Sequence, residues 1–124
     1  MAEKPCNLSK NGGGMELYST SEMLVARLDD GTNVYRKIYN GTLSSPYSFA
    51  HGISNLGEIY RLDGYVNSST GNRRPLNLAY FGDANWDSAL SITSTNLVVE
   101  AGSSFLTAHS GQNYVITVEY TKSS

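Results

Sequence analysis

The stretch Met23-Leu24-Val25-Ala26-Arg27-Leu28-Asp29-Asp30-Gly31-Thr32-Asn33-Val34-Tyr35-Arg36-Lys37-Ile38-Tyr39 reads as a β-hairpin and decides the fold class. Residues 23–28 are apolar and suited to a strand. They run into Asp29-Asp30-Gly31-Thr32, where the Asp30-Gly31 pair is expected to supply the positive φ angles of a tight turn. The chain returns through residues 34–39. There Val34, Arg36 and Ile38 face one way and Tyr35, Lys37 and Tyr39 the other, the period-two pattern of a strand between unlike environments.

The same pattern recurs outward from this hairpin. The closing segment alternates Tyr114, Ile116, Val118 and Tyr120 with Val115, Thr117, Glu119 and Thr121, placing an apolar stripe opposite a mixed one. Further strands are predicted over residues 48–53, 58–66, 76–80, 88–93, 96–100 and 113–121, separated by clusters such as Ser68-Ser69-Thr70-Gly71-Asn72 and Gly82-Asp83-Ala84-Asn85. No window carries a helical period, and one short turn would fit only within residues 19–26. Short strands at regular spacing predict an all-β fold, a single antiparallel β-sandwich of about seven or eight strands. Its core is expected to draw on Leu24, Ile38, Ile53, Ile59, Leu62, Leu78, Leu90, Ile92, Leu97, Val99, Ile116 and Val118.

At 124 residues the chain has room for one such domain, assigned to residues 16–124. Residues 1–15 differ in character. They hold little that is apolar and contain Gly12-Gly13-Gly14, which reads as a flexible N-terminal arm or as a frayed terminus. As an arm, its attachment residues would be Pro5, Cys6, Asn7 and Leu8. No apolar stretch follows Lys4, so a cleaved signal peptide is not expected, and apolar runs such as Leu97-Val98-Val99 are too short to insert in a membrane. Cys6 is the sole cysteine, so no internal disulfide can form; the thiol suits synthesis in a reducing cytoplasm, the alternative being an intermolecular bridge.

Only 16% of residues are charged and the net charge is −2, which gives no basic face for nucleic acid or an anionic membrane. Ser, Thr, Asn and Gly dominate the polar fraction, a composition that suits crowded particles and also proteins that touch sugars. No catalytic residues, cofactor or metal are expected. His51 and His109 are the only imidazoles and sit in no spaced metal signature, and one cysteine cannot complete a zinc site. His51 reads as a strand-end residue satisfied by backbone. Gly12-Gly13-Gly14 lacks the flanking strand and helix of a phosphate loop. A hydrolase of surface polysaccharide ranks last, because no acid/base carboxylate pair stands out.

The segment from Tyr80 to Asp87 is the richest in binding chemistry. Tyr80, Phe81 and Trp86 lie beside Asp83, Asn85 and Asp87, and aromatic faces with polar neighbours can stack on a sugar while hydrogen-bonding its hydroxyls. The alternative is that Trp86 plugs the end of the sandwich and the acidic residues cap the turn.

Four strings in order and at approximate spacing resemble a module of tailed-phage and prophage virion proteins, common at the C-termini of fibre-like and collagen-like chains. They are Tyr18-Ser19-Thr20-Ser21-Glu22, the hairpin from Asp30-Gly31 into Val34-Tyr35-Arg36-Lys37, Ala50-His51-Gly52-Ile53, and Tyr114-Val115-Ile116-Thr117-Val118-Glu119-Tyr120-Thr121-Lys122. The chain departs from the module at Arg27-Leu28, where a tryptophan is usual, and after Gly31, where Lys-Pro is usual. The resemblance implies a virion structural protein displayed on the particle surface as a homotrimer that contacts other capsid or tail proteins. With no fibre shaft in this sequence, the expectation is a small head fibre, capsid decoration or tail-fibre component held by its arm. The alternative is a tip protein that binds a host surface glycan through the Trp86 loop during adsorption.

Overall fold

The computed structural model describes residues 18–77 and 83–123. The predicted hairpin is there: β1 (Met23–Arg27) pairs antiparallel with β2 (Asn33–Thr42). Then follow β3 (Ser48–Ala50), β4 (Leu56–Asn67), β5 (Arg73–Pro75), β6 (Ser88–Ile92), β7 (Asn96–Ala101) and β8 (Asn113–Lys122). They form a five-stranded sheet, order β1-β2-β8-β4-β5, and a three-stranded sheet, order β3-β7-β6, with every pairing antiparallel. The two sheets pack as an all-β sandwich.

The last strand in sequence is the central strand of the larger sheet, because its alternation serves both faces. Ile116, Val118 and Tyr120 are fully buried and meet Val66 of β4, Leu97 and Val99 of β7, and Phe105 in one cluster. Tyr35, Tyr39, Phe49 and Tyr114 border it, with Phe49 stacked on Tyr114 at 5.5 Å between ring centroids. Each buried aromatic removes a large apolar area from water, so a few rings can fill a thin sandwich.

One predicted core position is exposed, and a second is buried on the other face of its strand. Leu24 is 48% exposed and lies on β1, an edge strand of the larger sheet. Ile38 is buried but stands opposite Thr117, on the outer face, while Tyr39 stands opposite Ile116 on the inner one. Leu78 lies outside the described residues.

The turn between β1 and β2 also differs from expectation. Gly31 N–H donates to Leu28 O (2.9 Å) and Leu28 N–H to Thr32 O (2.8 Å), and Gly31 has φ +90° while Asp30 keeps a negative φ. That is a three-residue loop with a glycine bulge, not a two-residue Asp-Gly turn. The Asp30 side chain instead accepts from Thr32 N–H (2.9 Å), and hydrogen bonding to the Thr32 side chain and then to its N–H lowers the Asp30 pKa. The loop between β4 and β5 repeats the arrangement, with Gly71 bonded to Ser68 O (3.1 Å) and φ again +90°.

The strand predicted over 48–53 ends at Ala50, because His51 takes up other contacts. In place of a strand over 76–80, the structure has β5 at Arg73–Pro75, and residues 78–80 lie outside the described residues. The absence of helix is corrected too: residues 23–26 are strand, while α1 (Ser103–His109) bridges β7 and β8 and a 3-10 turn spans Ala84–Trp86. Helix α1 has Gly102 as a cap with no side-chain hydrogen bond and no acidic residue in its first turn, so its sequence carries almost no start signal. It is held by burying Phe105 and His109 instead.

Candidate ligand-contact surface around Trp86

The 3-10 turn that carries Trp86 is built by its own first residue. Asp83 accepts from Asn85 N–H through Oδ1 (3.1 Å) and from Trp86 N–H through its carbonyl (3.1 Å). Asp87 N–H then closes on Ala84 O (3.3 Å). Asp83 thus caps the turn, as the bland alternative for the acidic residues held.

Helix α1 comes against this turn through Gly102. Its N–H donates to Asp87 O (2.9 Å), and a Cβ on Gly102 would lie 2.3–2.4 Å from Ala84 O and from Asn85 C and Cα. Only glycine permits this approach. Ser103 Oγ adds a longer bond to Asn85 Oδ1 (3.4 Å).

The result is a surface hollow of about 370 Å³ in which Trp86 meets Ser103, Ser104, Thr107 and Ala108 of α1. Residues 104, 107 and 108 fall on one helical face by their spacing of three and four. Trp86 also packs on the core cluster, so its ring is half plug and half surface. No described group hydrogen-bonds its indole N–H. Of the predicted loop, Asp83, Asn85, Trp86 and Asp87 are thereby brought to one place; Tyr80 and Phe81 lie outside the described residues, as do the arm residues Pro5, Cys6, Asn7 and Leu8. The serines and threonine of α1 were missed by sequence reasoning, because they become neighbours of Trp86 only through the Gly102 contact.

Both imidazoles are committed to the scaffold. His51, 2% exposed, accepts from Ile53 N–H at Nδ1 (3.0 Å) and donates from Nε2 to Thr93 O (2.9 Å), a tautomer assigned from these partners. Its main chain is equally engaged: N–H to Thr95 O (3.0 Å), and the carbonyl to Lys37 Nζ (3.1 Å) and Tyr39 Oη (2.6 Å). His109 Nδ1 donates to Phe105 O (2.8 Å) with its ring 4.3 Å from that of Phe105. Burial, and then the Glu22 charge, push the Tyr39 hydroxyl up to about 12.

The main cluster of charge lies on the outer face of the large sheet. Glu119 Oε2 receives Arg36 (2.7 and 2.8 Å) and Arg61 (3.3 Å), and Arg61 also bonds Asp63 (3.0 Å). Arg36 lies under the Tyr18 ring at 4.6 Å. Hydrogen bonding to Asp63, against some burial, raises the Arg61 pKa further. The register explains the cluster, since Arg36 and Arg61 both stand opposite Glu119 on its two neighbouring strands. Sequence alone could not pair them. Among the described residues no three His, Cys, Asp or Glu side chains gather as a metal site would require, and no helix is long and apolar enough to cross a membrane.

Comparison with protein-family models, with curated proteins and with solved structures gives no match for this chain.

Proposed function

We propose that this chain is a bacteriophage virion structural protein: a small head fibre, capsid decoration or tail-fibre component that presents its β-sandwich and is held through residues 1–15. One observation carries the reading. The four strings that resemble phage virion modules are far apart in sequence, yet they interlock. Glu22 binds Tyr120 Oη (2.6 Å) and Lys122 Nζ (2.9 Å), Arg36 binds Glu119 (2.7 Å), and Lys37 Nζ holds the His51 carbonyl (3.1 Å). Strings that jointly build a scaffold support a shared module.

Deleting residues 1–14 tests the attachment. The shortened chain is expected to fold, with unchanged circular dichroism, and to be lost from assembled particles. Incorporation at the normal level would overturn the proposal.

A second reading, adsorption to a host glycan, has its own support in the Trp86 hollow, where an aromatic face and an unpartnered indole N–H sit beside helix hydroxyls. Stacking of this kind with neutral hydroxyls is the usual chemistry of sugar contact. Trp86→Ala in a folded protein should then reduce particle adsorption to cells. Unchanged adsorption leaves the structural role alone.

A further inference from the structure

A second recess, away from Trp86, carries a more specific chemistry. After β2 the chain is pinned at Leu43, which is 2% exposed, donates to Gln112 O (2.8 Å) and accepts from Gly111 N–H (2.7 Å). It then turns back, with Tyr47 N–H donating to Ser44 O (2.8 Å), and is pinned again where Tyr47 O accepts from Val99 N–H (2.8 Å). Between these anchors Tyr47 takes φ +62°, a left-handed conformation that costs free energy for a bulky side chain. A strained aromatic held from both sides is a fixed wall.

The turn encloses a recess of about 110 Å³ against the stacked pair Phe49 and Tyr114. Beside the three rings, its lining includes the hydroxyls of Thr42, Ser44, Ser45 and Ser48 and no charged side chain. Ser48 Oγ accepts from Asn96 Nδ2 (3.0 Å) and Thr42 Oγ1 reaches Asn113 (3.5 Å), while the hydroxyls of Ser44, Ser45, Tyr47 and Tyr114 meet no partner among the described residues. Tyr114 matters most, because it is half-buried and a desolvated hydroxyl without a partner is costly. Burial also raises its pKa, so at neutral pH it is a phenol that can donate. Gly41 makes room for it: a Cβ there would lie 2.9 Å from Tyr114 Oη.

From this arrangement we infer that the recess between Ser44, Ser45, Tyr47, Phe49 and Tyr114 binds a single neutral sugar ring. Aromatic walls take the C–H faces of a sugar, and uncharged hydroxyls take its own hydroxyls. The lack of charge disfavours phosphate, carboxylate or ammonium ligands, which would lose hydration without an opposite charge to replace it. A recess well below the roughly 300–1,000 Å³ of drug-sized pockets admits one ring and not an oligonucleotide or a folded peptide segment.

An amide NMR titration of the full chain tests this with D-glucose, D-galactose, D-mannose and N-acetyl-D-glucosamine, each alone. At least one should shift the amides of residues 43–45, 47–49, 99 and 114 at millimolar concentration. Tyr114→Phe should fold as before, since its hydroxyl has no partner to lose, and should weaken binding by about three- to tenfold, the worth of one hydrogen bond. Gly41→Ala displaces the Tyr114 hydroxyl and should weaken binding likewise, whereas Trp86→Ala should not. The inference is overturned if no sugar shifts these amides, if Tyr114→Phe binds as tightly as the parent, or if the shifts fall on residues 86 and 103–108 instead. None of these results bears on the virion proposal, which the particle-incorporation assay decides.

Discussion

Substituting Gly102 by Ala should uncouple the Trp86 turn from helix α1. The added methyl would sit 2.3 Å from Ala84 O, 2.3 Å from Asn85 C and 2.4 Å from Asn85 Cα, all main-chain atoms. Ordinary contact begins near 3.4 Å, so the two backbones must separate by about 1 Å, and forced overpacking of this kind costs about 1–3 kcal/mol. Alanine is also a poorer helix N-cap than glycine, which adds up to about 1 kcal/mol. At this chain length each kcal/mol is worth about 4 °C, so a fall in Tm of about 4–16 °C is expected. Trp86 is the only tryptophan, so its emission reports this site alone and should move toward that of a solvated indole. Gly31→Ala separates space from backbone conformation: nothing lies within 4 Å of its Cβ, but its φ is +90°. That variant should cost about 1 kcal/mol and leave Trp86 emission unchanged. A Gly102→Ala protein with the parent Tm and the parent emission spectrum would refute the claim that this contact builds the site.

The outer-face charges give a second prediction. Glu119→Gln strips the shared anion from Arg36, whose side chain is 9% exposed, and should cost about 2–4 kcal/mol by urea denaturation, while Asp63→Asn, on a side chain 51% exposed, should cost at most about 1 kcal/mol. Replacing His51 by Leu keeps bulk but strands Ile53 N–H and Thr93 O, and should lower stability by about 2–5 kcal/mol in the same assay. Glu22 gives a pH dependence. Partial burial, its largest influence, pushes the carboxyl up, but the hydrogen bonds from Tyr120 and Lys122 and the Lys122 charge outweigh it and hold the pKa below 4.5. A folded-state value below the unfolded one contributes stability above about pH 4.5 that is lost on acidification through the folded value, so Glu22→Gln should flatten the fall in Tm between about pH 5 and pH 3.

Local signals in the sequence reached as far as single strands and their turns. The hairpin of β1 and β2 and the closing strand β8 were legible because alternation and turn residues act within a few positions. Helix α1 was not, since seven residues without a cap cannot announce themselves and its stability comes from burying Phe105 and His109. The same limit applied to the candidate surface. Trp86 and its acidic neighbours stood out as a cluster in the chain, but the hydroxyls facing Trp86 come from α1, and the contact that brings them depends on a glycine whose role is spatial. The recess at Tyr114 left still less trace, because its phenol comes from β8 while its serines and Gly41 come from residues 41–48, far away in the chain.

Alternation states that a strand has two faces but not which one is inside, and β2 shows what settles the choice. By hydrophobicity alone Val34 and Ile38 belong in the core and Tyr35 and Tyr39 at the surface. Val34 and Ile38 are indeed buried, but pairing with β8 turns the half-buried tyrosines toward the other sheet, because Tyr39 stands opposite Ile116 and Tyr35 opposite Tyr120, both wholly buried. Tyr39 can accept that placement because it has somewhere to send its polar end. Tyr39 Oη reaches the His51 carbonyl and Tyr120 Oη reaches Glu22, so the rings fill the space between sheets without stranding a hydroxyl. Tyr114 is the inner-face tyrosine of β8 for which the scaffold supplies no such partner, although its neighbour two residues along the same face, Ile116, is packed to completion. Of the two inner-face phenols of β8, Tyr120 has its partner in Glu22 and Tyr114 has none among the described residues, so Tyr114 is the place where an outside hydroxyl gains most by arriving.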